Sequence, residues 1–315
     1  MKTSTYNFIS IFFVSLMLFS CSSGGDEEEI VELAVASKLE TFNLIHDGEN
    51  RSYNVYTPKD FDDSNPVSVV FNLHGAGGTA KGQMDYARMN VIADHNNFII
   101  IYPQGLRSVS SWGATEFYWN SYFGTGVDDV GFFDVMIDEI IGNYNVDKKR
   151  IYSMGYSNGG YMSYRLACEL NDRIAGIVSV AGTMAGVQPF NCDTDTPVSV
   201  MAIHGTSDAT VKYVSDDPSF NLSVEDAVDF WVTKNKCNAS PEETSLPNND
   251  TTDGSTITKL VYKSGENGTE VQLLRVNGGH HTWPGGSGGY YTNKDISASQ
   301  VAWDFLKRFE HPNPR

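Results

Sequence analysis

Five short segments of the chain are almost continuously apolar and rich in β-branched residues: Val67 to Leu73, Phe98 to Tyr102, Arg150 to Met154, Ile174 to Val180 and Val198 to Ile203. A strand covered on only one face alternates polar and apolar positions, whereas a strand covered on both faces has no polar side. These five therefore predict the interior of a parallel sheet. Between and around them, residues 82–95, 128–143, 159–170 and 223–236 repeat their apolar positions at helical spacing. Alternation of strand and helix predicts crossover helices and a doubly wound α/β sheet. Ahead of it, residues 39–46 and 51–57 alternate around His46-Asp47-Gly48, which predicts an antiparallel hairpin. Two later strands, near 256–263 and 270–276, lead to a last helix at 297–309 with Val301, Phe305 and Leu306 on one stripe. Residues 238–255 have no apolar period and read as a mobile loop.

The first residues follow a different pattern. Lys2 precedes a 12-residue apolar run, Phe8 to Phe19, too short to cross a bilayer and suited to the core of a signal peptide. The run ends in Leu18-Phe19-Ser20-Cys21, which resembles a bacterial lipobox and implies removal of residues 1–20 and lipidation of Cys21. Ser22 to Glu29 is a glycine-serine spacer followed by acids, so residues 21–37 read as a flexible tether and 38–315 as a single domain. The acids behind the cysteine also resemble an export signal for the outer face of the outer membrane. The expectation is a surface-exposed lipoprotein touching the membrane only through its lipid, and otherwise a monomer.

Charge narrows the partners. Twenty-two basic residues against 39 acidic ones give −17, which repels nucleic acid and anionic lipid surfaces. An envelope location permits disulfides. With Cys21 committed to lipid, Cys168, Cys192 and Cys237 allow one pair. Cys168 falls in an apolar helix and reads as a buried thiol, leaving Cys192 with Cys237. The cysteine and histidine spacings suggest no zinc site, and no cofactor is called for.

The chemistry gathers at strand ends. Gly155-Tyr156-Ser157-Asn158-Gly159 lies between a strand and a helix, the context in which GxSxG forms a nucleophile elbow. A serine hydroxyl needs a base within hydrogen-bond reach and a buried acid to orient that base. Asp208, in His204-Gly205-Thr206-Ser207-Asp208 after the strand to Ile203, is the natural acid, and His204 reads as structural. His280 and His281 both follow the strand to Val276. The register counted back from Trp283-Pro284 favours His281 as the base, with His280 a loop residue. Acyl transfer also needs N–H donors for the developing oxyanion. The backbone of Asn158 and of Ala76, in His74-Gly75-Ala76-Gly77-Gly78, are the candidates. A phosphate loop over 75–82 fails because Ala80 and Gly82 stand where a Walker A motif needs glycine and a hydroxyl residue. Tyr118, Trp119, Phe123 and the Gly285–Tyr291 loop are candidates for an aromatic acyl-binding cleft, and Trp283 is a further candidate for substrate contact. Asp128 and Asp129 open a helix and read as carboxylates favoured by its dipole, not as a metal pair.

With LHGAGGTA (73–80), IIYPQG (100–105), Trp119-Asn120, VDDVGFF (127–133), GYSNGGYMSYRLACE (155–169), VAGTM (180–184), HGTSD (204–208) and GGHHTWPGG (278–286), the sequence resembles the polyhydroxybutyrate depolymerase-like and family-one carbohydrate esterases of the α/β-hydrolase superfamily, which include feruloyl and acetylxylan esterases. The resemblance spans residues 40–310. It implies Ser157 as nucleophile, Asp208 as acid and, from its HxWP pattern, His281 as base. It also implies a metal-free acyl-enzyme mechanism on feruloyl or acetyl groups of plant polysaccharide. Polyhydroxybutyrate depolymerisation is the alternative, with a non-catalytic glycan-binding lipoprotein behind it. Ala209 and Lys212 replace prolines of the family pattern, and Ala76 stands where many relatives carry cysteine.

Overall fold

The computed structural model describes residues 37–315 except 110–112, 114, 124, 125, 195 and 290. The expected signal peptide, the Cys21 lipidation and all but the last residue of the tether lie outside the described residues. The elements in chain order are β1 (Lys38–His46), β2 (Glu49–Thr57), β3 (Val67–Leu73), α1 (Ala80–Ala87), α2 (Asn90–Asn96), β4 (Ile99–Pro103), β5 (Leu106–Val109), β6 (Thr115–Tyr118), α3 (Asp129–Asn143), β7 (Val146–Tyr156), α4 (Asn158–Glu169), β8 (Gly176–Val180), α5 (Gln188–Asn191), β9 (Ser199–Gly205), α6 (Val224–Lys234), β10 (Glu242–Ser245), β11 (Thr256–Tyr262), β12 (Val271–Asn277) and α7 (Ala298–Leu306).

The main sheet runs β1-β2-β4-β3-β7-β8-β9-β12-β11-β10. The strands from β4 to β12 are parallel neighbours. Antiparallel pairs flank them on both sides. This is an α/β-hydrolase sheet with an N-terminal hairpin. Asp47 and Gly48 close that hairpin at φ of 52° and 78°, the left-handed conformations a two-residue turn requires.

The unbroken apolar runs have a direct cause. Successive side chains of a strand point to opposite faces, and here both faces are covered. Val69, Phe71 and Leu73 of β3 enter a layer shared with Phe132 and Met136 of α3 and Leu166 of α4. Val70 enters the opposite layer with Ala87 of α1 and Ala302 and Phe305 of α7. Ile99 and Ile101 of β4 join the first layer, Ile100 and Tyr102 the second. Each buried valine, leucine, isoleucine, methionine or phenylalanine among them contributes roughly 1.5–3 kcal/mol by leaving water.

Four features depart from the sequence expectation. The helix over 82–95 is two helices: Arg88 turns left-handed at φ 54° and its N–H closes on Met84 O at 3.0 Å, ending α1. Residues 238–255 are not a free loop. Glu242 to Ser245 pair antiparallel with β11 as an edge strand, and Asp295 accepts the N–H groups of Asn249 (2.6 Å) and Asp250 (3.0 Å). All four residues of β10 are exposed, so no hydrophobic period exists to reveal it. β5 and β6 form a separate two-stranded sheet beside the site. Finally, the disulfide joins Cys168 to Cys192, not Cys192 to Cys237. The last turn of α4 faces α5, where Gln188 Nε2 also reaches Cys168 Sγ at 3.4 Å, whereas Cys237 follows α6 and lies against Thr269 O as a free thiol.

Candidate active site

β7 delivers the chain into a turn that α4 immediately follows, and Ser157 occupies that turn at φ 52°, ψ −120°. A non-glycine residue there is strained by about 1–3 kcal/mol, and its neighbours hold it in place. Ser157 N donates to Val180 O (2.8 Å), and Ser157 O accepts from Gly160 N (2.8 Å) and Tyr161 N (3.1 Å). Glycine at 159 is required by space: a Cβ would sit 2.5 Å from Leu73 O and 2.7 Å from His74 O. Asn158 begins α4, so its N–H is among those a helix cannot satisfy internally. Its side chain is fully used. Oδ1 accepts from Trp119 N (2.7 Å), and Nδ2 donates to Trp119 O (3.1 Å) and Ser121 Oγ (3.0 Å).

The second donor loop follows β3. Gly78 N returns to Gly75 O at 3.0 Å, and Gly77 N donates to Phe117 O at 2.8 Å, leaving Ala76 at the cavity beside Ser157. His74 governs this loop. Its Nδ1–H donates to Gly75 O (2.7 Å), while Nε2 accepts from Gly105 N (3.0 Å) and Gln104 Nε2 (3.1 Å). A carbonyl on one ring nitrogen and N–H donors on the other fix a neutral ring with its proton on Nδ1. Burial pushes its pKa down to about 4, with the Gly75 carbonyl opposing. The sequence offered His74 only as the first letter of the glycine-rich motif.

Asp208 ends the turn after β9, and its two oxygens divide the work. Oδ1 accepts from Thr210 N (2.8 Å) and Val211 N (2.9 Å), and Oδ2 accepts from His281 Nδ1 (2.7 Å). Burial alone would raise this carboxyl, but hydrogen bonds and charge from His204 and His281 outweigh it and hold it well below the usual carboxylate range. His204 Nε2 donates to Val211 O (2.8 Å) and lies 3.4 Å from Asp208 Oδ2, a bracing role. With Nδ1–H committed to Asp208, His281 presents Nε2 as an acceptor. Of the two adjacent histidines, His281 meets the acid. His280 instead lies against Tyr291, ring centroids 4.5 Å apart.

Ser157 is tied to this pair through its neighbour. Tyr156 OH donates to His281 O (2.8 Å), and the two rings lie 5.0 Å apart. Ser157 Oγ makes no hydrogen bond among the described residues, so acid and base are joined while the serine–imidazole bond is not made in this state. Catalytic hydrogen bonds of free enzymes are often long and tighten with substrate.

A cavity of about 290 Å³ opens at Ser157, walled by Tyr118, Phe123, Tyr161, Val211 and Phe220. Phe123 stacks on Phe220 at 4.6 Å and meets Tyr161 edge-on at 5.1 Å. Two expected contact residues are not there, and the described residues of the Gly285–Tyr291 loop, expected at the acyl cleft, are not there either. Trp119 is fully buried, with Nε1 donating to His74 O at 2.9 Å, and Trp283 is fully buried, with Nε1 on Ser299 Oγ at 3.2 Å. Both exchanged substrate contact for holding the site loops, because an indole with its N–H paired packs best inside. Asp128 caps α3 by accepting Gly131 N at 2.9 Å. Asp129 goes further: buried, it binds Arg51 Nη2 (2.5 Å) and accepts Asn120 N (2.7 Å), bracing the 119–121 segment from behind. Arg51 is 78 residues distant in sequence, and no local pattern announces the pair.

Comparison with known proteins gives a consistent result. The model of the phospholipase/carboxylesterase family matches residues 61–221. The chain is 26% identical over 281 residues to the putative esterase NocK of Nocardia uniformis subsp. tsuyamanensis, covering 82% of this chain and 80% of that one. It is 26% identical over 265 residues to feruloyl esterase B of Piromyces equi, covering 81% of this chain and 44% of that protein, so it spans under half of that relative. The solved acetyl xylan esterase from Aspergillus awamori shares the fold at a TM-score of 0.60 and 16% identity, with 86% of this chain and 99% of that one covered.

Proposed function

This chain belongs to the phospholipase/carboxylesterase family and is a carboxylic-ester hydrolase, and from that premise we propose that it removes feruloyl or acetyl groups from plant polysaccharide through a Ser157 acyl-enzyme. Ser157 Oγ attacks the ester carbonyl as His281 Nε2 takes its proton, and Asp208 stabilises the imidazolium. Negative charge on the former carbonyl oxygen falls to the N–H groups of Asn158 and Ala76. Such donors are each worth about 3–4 kcal/mol in the transition state. His281 then protonates the departing alcohol, and water repeats the sequence to free the acid. Neither a metal nor an organic cofactor enters these steps.

The observation that carries this reading is the 2.7 Å hydrogen bond from His281 to Asp208 beside the strained Ser157. The aromatic cavity supports an acyl group with a planar ring, and the similarity to a feruloyl esterase and to a solved acetyl xylan esterase supports the same class. The test is parallel incubation of wild type and Ser157→Ala with methyl ferulate, acetylated xylan and polyhydroxybutyrate. Wild type should release ferulate or acetate and the variant neither. Retained hydrolysis in the variant, or activity on polyhydroxybutyrate alone, overturns the proposal. We also propose that Cys21 is lipidated and holds the enzyme at the outer face of the outer membrane, where polymers too large for uptake are met. Palmitate labelling of wild type and not of Cys21→Ser, with protease accessibility on whole cells, checks it.

A further inference from the structure

Among the described residues, the acyl cavity takes none of its walls from 278–294. A second cavity, about 480 Å³, lies on that segment, lined by Asp253, Gly254, Gly278, His280, Tyr291 and Thr292 among others. His280 immediately precedes His281. In the reading above, the imidazole of His281 returns its proton to the leaving alcohol, so the alcohol portion of the ester must lie on the imidazole's side. We infer that this cavity is the subsite for the alcohol portion, and that it holds a neutral sugar ring of the polysaccharide chain; the inference rests on the esterase reading just given.

The lining fits a sugar. Tyr291 is 63% exposed although its ring is held at 4.5 Å from His280, so an aromatic face is offered to solvent on a fixed support. Both ring nitrogens of His280 and the Tyr291 hydroxyl lack a partner among the described residues. A sugar presents an apolar C–H face and a rim of hydroxyls that can both donate and accept, which suits an aromatic face with polar tips around it. The floor is bare backbone: a Cβ on Gly278 would lie 2.8 Å from Gly254 O, and Gly278 sits at φ 76°. The walls are braced before any ligand arrives. Lys294 N donates to Asp253 Oδ2 (2.8 Å), Asn293 Nδ2 to Ser255 Oγ (2.9 Å) and Gly285 N to Asn293 O (2.8 Å). Lys294 Nζ is already committed to Asp250 at 3.0 Å, and Asp253 adds negative charge, which disfavours an anionic ligand.

The experiment measures kcat/KM on a feruloylated arabinoxylo-oligosaccharide and on methyl ferulate for wild type, Tyr291→Ala, Tyr291→Phe and His280→Ala, with melting temperatures as a check on folding. The ratio of oligosaccharide to methyl ester should fall about five- to tenfold in Tyr291→Ala and His280→Ala, mainly through KM, the size expected for one aromatic contact. Tyr291→Phe, which keeps the ring, should retain most of it. If wild type cleaves both substrates and the ratio is unmoved in both alanine variants, the subsite is overturned and the esterase reading stands. If wild type cleaves methyl ferulate and not the oligosaccharide, the polysaccharide reading falls and takes the subsite with it.

Discussion

Lowering the pH from 7 to 4 should cost this protein stability through His74. The neutral ring is locked by a carbonyl at Nδ1 and by two N–H donors at Nε2, so a proton added to Nε2 would face donors with no acceptor. The imidazole is 1% exposed, and its pKa falls from 6.5 to about 4. Because the folded state resists the proton that the unfolded chain accepts, stability is fully present above about pH 6.5. It declines as pH falls and is lost once pH passes about 4. A displacement of that size corresponds to about 3 kcal/mol at 1.36 kcal/mol per unit. Equilibrium unfolding sums every titrating group, so the specific assay is nitrogen-15 NMR of the imidazole. It should report a neutral ring, proton on Nδ1, with a midpoint near 4. A midpoint near 6.5, or the proton on Nε2, would refute the reasoning, and with it the claim that this ring sets the loop carrying Ala76.

Other expectations are shorter to state. Cys168→Ser with Cys192→Ser should lower unfolding stability by about 3.5 kcal/mol, the chain-entropy value for the 24-residue separation it spans, measured by urea denaturation; an unchanged midpoint would contradict it. Trp119→Phe removes the hydrogen bond to His74 O and should cost about 1–3 kcal/mol and depress kcat, whereas a rise in KM at unchanged stability would mean that Trp119 touches substrate after all. Phe220→Ala opens the wall stacked on Phe123, so kcat/KM should fall several-fold for feruloyl esters and little for acetyl esters. Equal losses on both would show that this wall does not read the acyl group.

The strands were legible because burial on both faces leaves a continuous apolar run, a pattern few other structures produce. The GxSxG turn was legible because its glycines answer a steric demand that no other residue meets, as the 2.5 Å approach of a Cβ at Gly159 to Leu73 O makes plain. What stayed hidden depends on pairs distant in the chain. The Cys168–Cys192 pairing follows from where α5 lands, and the bracing of Asn120 by Asp129 and Arg51 follows from how β2 lies beside α3. Trp119 and Trp283 misled for a related reason: composition marks an indole as a ligand contact or as a core filler equally well, and only its N–H partner decides. β10 escaped because an edge strand with four solvated side chains carries its only signal in backbone pairing.

The strands that deliver Ser157, Asp208 and His281 are β7, β9 and β12, all within a span of four adjacent members of the parallel sheet. Spacing among the reacting groups is thereby inherited from the ladder itself and not from any independently melting subdomain. Heating should leave catalysis intact until the whole ladder dissolves, so inactivation and loss of circular dichroism ought to share one midpoint.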